Sequence, residues 1–466
     1  MISKKLFLTK LTPNLQFTTL LILVGTNPLP CYVSLKYYLI KNQNLRNVYL
    51  ICSEKNSENN QAGTDKFAEN IKELANSEIV KIVRIKNSEN YNNIVSILNK
   101  EVKISVFEDV MLDFTGGTKV MGIATNKFLN SIKVNTLLSY LSSKSFKLIG
   151  ENGDFLTDDL RNEISITLEQ LITLHNFRWK NAPHDQKEND YKEHNNHYFD
   201  LFSEANNIFT DLIKTNSLNE YYKSYSRKNF EYDADRFNKE ASKLKDKDED
   251  PVKEAARQEG KNKSLIKKTT HLKNICKELI ISGKLLEVNN CLNEECKLFD
   301  SKGSLKENLP DNKVVEKVIE YFDGDWLEHY IFNIILTSIV DEKIKLYFNC
   351  NIEKMPLENN ERQKLWDFQL DLALIKGYEL TGVSVTSANQ KDLCKSKGFE
   401  VFLRTKQIGG HEAKAILITR LSDENKRVLE NELQMEIGLD SKRLIVLGEN
   451  DLTKESIIES INQILL

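Results

Sequence analysis

The chain has 466 residues, with 65 basic against 68 acidic side chains and a net charge of −3. That length can hold two to four domains with cores of their own, and the near-balance of charge excludes a globally basic coat, so any nucleic-acid contact has to come from a local patch. The longest apolar stretch, LLILV at 20–24, is far short of a membrane span, no small-residue cleavage site follows Met1–Phe7, and seven cysteines without regular spacing suit a reducing cytoplasm.

From residue 15 to about 150, short apolar runs alternate with amphipathic stretches. FTTLLILVG (17–25) precedes a helix near 33–42, VYLICS (48–53) a helix near 64–76, EIVKIVRI (78–85) a helix near 90–100, and KISVFEDVMLDFTGG (103–117) follows. This alternation predicts a doubly wound parallel sheet, closed by the strand pair in TLLSYLSSKSFKLIGENGDFL (136–156).

Two of these strands end in small residues. LDFTGGTKVMG (112–122) matches neither common nucleotide-binding fingerprint, but Thr115, Gly116 and Gly117 lead through Thr118 and Lys119 into positions spaced for a helix (Val120, Met121, Ile123, Ala124). Glycines allow close approach to backbone N–H groups, and the positive end of a helix faces the same point, which describes an anion cradle. Taken alone, a glycine pair is as readily a structural turn. LLILVGTNPLPCYVSL (20–35) adds a second such edge with Gly25, Thr26 and Asn27 before Pro28 and Pro30, and Ser53 and Lys55 end the next strand on the same side if the strands are parallel.

From about 160 to 310 the pattern turns to polar helices, and KEASKLKDKDEDPVKEAARQEGKNKSLIKK (239–268) reads as a solvated, mixed-charge insertion. A second α/β unit begins near 312: a helix in 314–340, strands in KIKLYFNCNIE (343–353) and LWDFQLDLALIKG (365–377), the hairpin partner ELTGVSVTSA (379–388), a helix near 390–406, strands AKAILITRL (413–421) and LIVLG (444–448), and a last helix over 453–466. Period-two alternation places Phe368, Leu370, Leu372 and Leu374 on one strand face and Gln369, Asp371 and Ala373 on the other, and sets Asp371 beside Ser384 and Thr386. Glu328, embedded in an apolar helix, is a second acid; the two together offer oxygen ligands to Mg²⁺ or Mn²⁺, against the plainer reading of an exposed strand acid and a helix-start acid. Lys397, Glu400, Arg404 and Gln407 form one polar helix stripe, and Gly409 and Gly410 end that helix where the chain can approach a phosphate.

On these residues the chain resembles the CRISPR-associated nucleases that fuse a CARF domain to a restriction-endonuclease-like PD-(D/E)xK domain. VGTNPLP and LDFTGGTKVMG resemble that family's ligand loops, while GDWLEHY, the LDLALI strand and the IGG turn fit its nuclease half. The resemblance implies a Rossmann-like CARF sensing domain over 1–158 and a nuclease-like α/β domain over 312–466, while the mainly helical linker or insertion over 159–311, read from the sequence pattern, has no counterpart in it. It further implies a homodimer that binds a cyclic tetra- or hexaadenylate through Gly25, Thr26, Asn27 and Thr115–Lys119, with Pro28, Ser53 and Lys55 at the same edge, and that thereby switches on metal-dependent cleavage of RNA or DNA.

One departure stands out. Where the family carries an acid, one residue and a lysine on the strand after the metal-binding Asp, this chain has Ser384, Val385, Thr386 and Ser387. Either the site has migrated, with Lys395 or Lys397 and Glu400 reaching the same point from the next helix, or the nuclease is lost and a ligand-responsive binding protein remains. A nucleotide-binding metabolic enzyme is disfavoured by the lack of a dinucleotide fingerprint.

Overall fold

The computed structural model describes residues 16–55, 63–180, 203–215, 218, 283–304, 306, 314, 318, 321–339, 341–355, 367–438 and 443–465. The charged run 239–268 and Met1–Phe7 lie outside the described residues.

Apolar runs of five to seven residues build the first sheet. Strands β1 (Thr19–Leu23), β2 (Asn47–Ser53), β3 (Val80–Ile85), β4 (Asp109–Asp113) and β5 (Asn135–Leu141) are parallel, β6 (Leu148–Gly150) returns antiparallel, and the order is β3-β2-β1-β4-β5-β6. Helix α1 (Pro28–Lys41) and helix α2 (Asp65–Ala75) pack on one face with Leu20, Ile22 and Leu50; α3 (Tyr91–Glu101) and α4 (Lys119–Ser131) pack on the other with Leu21, Leu23 and Leu112. The expected Rossmann-like unit is therefore present. Its first helix begins at Pro28 rather than near 33, because Asn27 accepts the Leu29 N–H at 3.3 Å as N-cap and Pro28 supplies the helical φ at N1. The fourth strand is also shorter than its apolar run suggests, with Val106 and Phe107 in an exposed turn ahead of it.

The second sheet has the order β12-β11-β10-β9-β8-β7. Its strands are β7 (Phe177–Trp179), β8 (Ile344–Lys354), β9 (Asp367–Lys376), β10 (Glu379–Val385), β11 (Lys414–Ile418) and β12 (Leu444–Leu447). The β9–β10 hairpin is antiparallel, as its sequence predicts, and β10, β11 and β12 run parallel. One face carries α5 (Leu168–Leu174), α9 (Lys391–Gly409) and α10 (Asp423–Ile437), through Leu171, Phe402 and Leu433. The other carries α6 (Ser203–Lys214), α7 (Gly283–Cys291), α8 (Trp326–Ser338) and α11 (Lys454–Leu465), and Phe209 of α6 stacks on Trp326 of α8 at 4.2 Å. The stretch read as a helical insertion thus gives the second sheet its edge strand β7 and the second face two of its helices.

The two sheets share one core: Leu20, Leu35 and Leu50 belong to the same cluster as Leu168, Leu171, Leu370 and Leu380. Polar contacts fasten the junction. Buried Glu379, at the start of β10, takes Arg161 Nη1 at 2.8 Å and Lys414 Nζ at 3.0 Å, while Arg161 also pairs with Asp159 at 2.8 Å. Asn70 of α2 donates to the Thr173 carbonyl at 2.8 Å. A carboxylate buried this far is tolerated only while its cations are in place. Arg161→Met is therefore expected to cost about 3 kcal/mol, read as a lower urea midpoint; an unchanged midpoint would show that Lys414 alone satisfies Glu379.

Candidate functional site

Adjacent strands β1 and β4 send their following helices to opposite faces of the sheet, so their carboxyl ends open a crevice at the topological switch point. Both glycine turns line it and touch backbone to backbone. A Cβ on Gly25 would stand 2.9 Å from Gly117 N, and one on Gly116 would meet the Leu23 carbonyl, lie 2.6 Å from Gly25 N and 2.9 Å from Cys31 Sγ. No side chain fits there. Thr118 caps α4 by accepting from Met121 N at 3.1 Å, as Asn27 caps α1, so two helix N-termini face the crevice.

Thr26, Lys55, Gly117, Thr118 and Lys119 are exposed at this edge, and Gly25, Asn27, Ser53, Thr115 and Gly116 are half-buried beneath them. Pro28 is buried, and its part is to start α1. Ser53 is held in a network in which the Thr64 hydroxyl, 3.3 Å away, donates to the Val24 carbonyl at 3.0 Å, so it props the end of β1. The floor is Asp113, which sequence reasoning passed over although LDFTGG shows an acid at the end of an apolar run. Burial pushes its pKa up, against hydrogen bonds from Thr115 N at 3.0 Å and Ser139 Oγ at 3.4 Å; Tyr38 donates to Ser139 in turn at 2.8 Å. Thr115 therefore serves as a turn former rather than a purely solvent-facing contact.

The second constellation lies where β9 leaves β10. Their ladder ends at Val383–Leu372, and the Asp371 carboxylate replaces a strand carbonyl, accepting from Val385 N at 2.7 Å and Ser384 Oγ at 3.1 Å. On the other side Asn349 of β8, at φ 53°, interrupts the pairing opposite Asp371. This disturbance corrects the expected alternation: Leu370 stays in the first core with Phe368, whereas Leu372 and Leu374 join the second. Burial raises the Asp371 pKa and the charge of Glu400 raises it further, while Val385 N–H, Lys397 and Ser384 hold it down.

Ser384 is thus brought into contact with Asp371, and Lys397 and Glu400 of α9 act on its charge. Lys395 instead pairs with Glu432 at 3.1 Å and Glu436 at 2.6 Å, both of α10. Arg404 lies over the Phe368 ring at 5.2 Å, and Arg404 Nη1 donates to Gln407 at 3.2 Å. Glu328 occupies the first turn of α8, on the face opposite α9, although the turn before it comes close, since a Cβ on Gly324 would stand 2.7 Å from Ser387 Oγ. Among the described residues no three His, Cys, Asp or Glu side chains converge as an ion site, and no helix is long and apolar enough to cross a membrane. The IGG turn does not reach this constellation. Gly410 backs onto Asn27 of the first unit.

Residues 19–170 match the Card1 CARF domain. The first unit is a CARF domain of Rossmann type. The comparison with curated proteins gave no significant match. Among solved structures the chain is similar to protein VC1899 from Vibrio cholerae, at 13% identity and TM-score 0.57 over 96% of this chain and 98% of that one. It is also similar to Can2 from Sulfobacillus thermosulfidooxidans, solved with cyclic tetra-adenylate, at 15% identity and TM-score 0.53 over 96% of this chain and 99% of that one. At these identities the likeness is one of fold, over nearly the whole of each chain.

Two outcomes follow. Gly116→Ala forces the turns apart and is expected to lower the melting temperature by several degrees, an effect of about 2 kcal/mol; a wild-type melting curve would disprove the tight contact. Because the folded-state pKa of Asp371 lies above its unfolded value, its ionisation costs stability as pH rises through the folded pKa. Asp371→Asn should then be more stable than wild type at pH 7, with the difference vanishing below pH about 4; paired melts across that range decide it.

Proposed function

We propose that this chain is a cyclic oligoadenylate sensor of type III CRISPR defence, acting as a homodimer, whose second unit is a nuclease gated by that ligand. The observation that carries the sensor reading is the switch-point crevice within the CARF-matching residues: two glycine turns in backbone contact, two helix N-termini, and Lys119 and Lys55 exposed at its rim. Such an edge suits a guest with several phosphates, because N–H groups and point charges supply what each phosphate lacks. The fold-level likeness to Can2, whose structure holds cyclic tetra-adenylate, supports the same ligand class.

The nuclease reading rests on Asp371 at the fork of β9 and β10, with Lys397 and Glu400 acting on it from α9. A divalent ion suits this donor set, since two carboxylates repel one another here and Mg²⁺ binds through one or two carboxylates plus substrate phosphate. Asp371 with Glu328 of α8, or with Glu400 of α9, would supply the two carboxylates of such a site. When bound, Mg²⁺ or Mn²⁺ would supply Lewis acidity and a more acidic water. Ser384 and Val385 N–H fix the Asp371 carboxylate, and Lys397 replaces the missing strand lysine as the cation facing the scissile phosphate of RNA or DNA. Ser384 and Thr386 in place of acid and lysine favour the alternative, a sensor without cleavage that acts by binding a partner or nucleic acid.

Titrating the protein with cyclic tetra- and hexaadenylate should raise its melting temperature with one ring size, and Lys119→Ala should weaken that response about tenfold in ligand concentration. No shift with either ring sinks the sensor reading. Ligand-stimulated, Mg²⁺- or Mn²⁺-dependent cleavage of RNA, single-stranded DNA or plasmid should disappear in Asp371→Ala; unchanged cleavage sinks the assignment of the site, and none in wild type leaves the sensor alone.

A further inference from the structure

Beside the crevice lie two aromatic rings open to solvent. Phe114 follows Asp113 at the carboxyl end of β4 and directly precedes the glycine turn, and Tyr140 stands next to it in β5, since Asp113 and Ser139 are paired in register. Strand alternation puts Phe114 on the face of Leu112 and Tyr140 on the face of Leu138, the face that α3 and α4 cover. Leu112 is 1% exposed there, yet Phe114 is 40% and Tyr140 36% exposed, so the cover ends before the pair.

Backbone holds the pair in place. Phe114 N donates to the Ser139 carbonyl at 3.0 Å and Leu141 N donates to Thr115 Oγ1 at 2.7 Å, which carries the β4–β5 ladder past Asp113 and into the turn. The ring centroids are 5.6 Å apart and the planes tilted by 40°, neither stacked nor edge-on, so the two rings leave aromatic surface for a third. Adjoining apolar rings left open at the rim of a polar crevice call for an occupant. Backbone N–H groups and lysines take the phosphates of any nucleotide alike and carry no readout of the base. A planar base, one ribose away from a phosphate held in the turn Thr115–Lys119, is the group that such rings accept.

We propose that Phe114 and Tyr140 form the base platform of the crevice: one adenine of a bound cyclic oligoadenylate stacks on them while its phosphate sits at the glycine turn. The proposal rests on the sensor reading above and adds the residues that select the base. Stacking accepts any base, but a purine offers a larger face than a pyrimidine, so the platform favours an adenylate ring over a uridylate ring that carries the same phosphates. Because both rings stand on paired backbone rather than on a free loop, little has to be ordered before the base lands.

The test is binding of the full-length protein to cyclic tetra- or hexaadenylate, whichever raises the melting temperature, over a series of salt concentrations. Phe114→Ala and Tyr140→Ala should each raise Kd about tenfold and leave the slope of log K against log salt as in wild type, whereas Lys119→Ala should reduce that slope by about 1. The uridylate ring of the same size should bind wild type about tenfold more weakly than the adenylate ring, and Phe114→Ala should weaken it no further. Phe114→Trp keeps the platform, so it should keep the wild-type Kd, and its emission should fall on binding by more than that of wild type, whose tryptophans are Trp179, Trp326 and Trp366. If Phe114→Ala fails to fold, Tyr140→Ala and Phe114→Trp decide. Wild-type Kd in the alanine variants, equal affinity for the two rings, or no added quenching in Phe114→Trp overturns the platform. So does altered sedimentation of Phe114→Ala with Kd unchanged, which would assign the row that Ile149 and Phe155 extend to contact between copies of the chain. Absence of any melting shift in wild type removes the sensor reading itself.

Discussion

The contact on which the rest of the molecule depends is between two pieces of backbone. The turn after β1 and the turn after β4 meet at Gly25, Gly116 and Gly117 so closely that no side chain can be accommodated. That approach is possible because the two strands are parallel neighbours whose helices leave toward opposite faces, so nothing bulky lies between their ends. Everything exposed at the crevice follows from it: the two capped helix starts, the rim lysines, and the position of Asn27 at the head of α1.

The same edge is where the second unit attaches. Residues 160–179 do not run as a separate linker. They supply Arg161 to the buried Glu379, α5 to the shared core, and β7 to the second sheet. Burying a carboxylate between two cations is a poor way to gain stability but an effective way to exclude other arrangements, because each partner is costly to leave alone. The α5 segment and the end of α9 are therefore held against the crevice, where His175 Nε2 lies 3.4 Å from Asn27 Oδ1 and Gly410 packs on the Asn27 amide.

At the second constellation the placement of a buried acid arises from a defect in strand pairing. A regular hairpin would bury Asp371 or turn it to solvent. Here the ladder stops at Leu372, Asn349 breaks the pairing opposite, and the carboxylate takes over a backbone acceptor's place beside Ser384. The result is a buried acid that is held in one orientation and raised in pKa, with a lysine and a glutamate of α9 acting on it.

The alternation of apolar runs with amphipathic stretches was enough to specify the first sheet, the antiparallel closure after β5, the β9–β10 hairpin and the place of both glycine turns, because period-two and helical patterns are local properties of the chain. The pairing of Asp371 with Ser384 was legible for the same reason, since a hairpin's register follows from its turn. Which face Leu370 takes, which of Lys395 and Lys397 acts on the charge of Asp371, and that Glu328 belongs to the opposite face were not legible. They depend on a pairing fault in β8 and on Glu432 and Glu436 of α10 claiming Lys395. Sequence spacing likewise offered the IGG turn as a place for phosphate, whereas the fold sets it against Asn27, a residue almost 400 positions away. Contacts between distant segments are chosen by shape and by the competition for hydrogen-bond partners in the closed structure, and that competition exists only once the chain has folded.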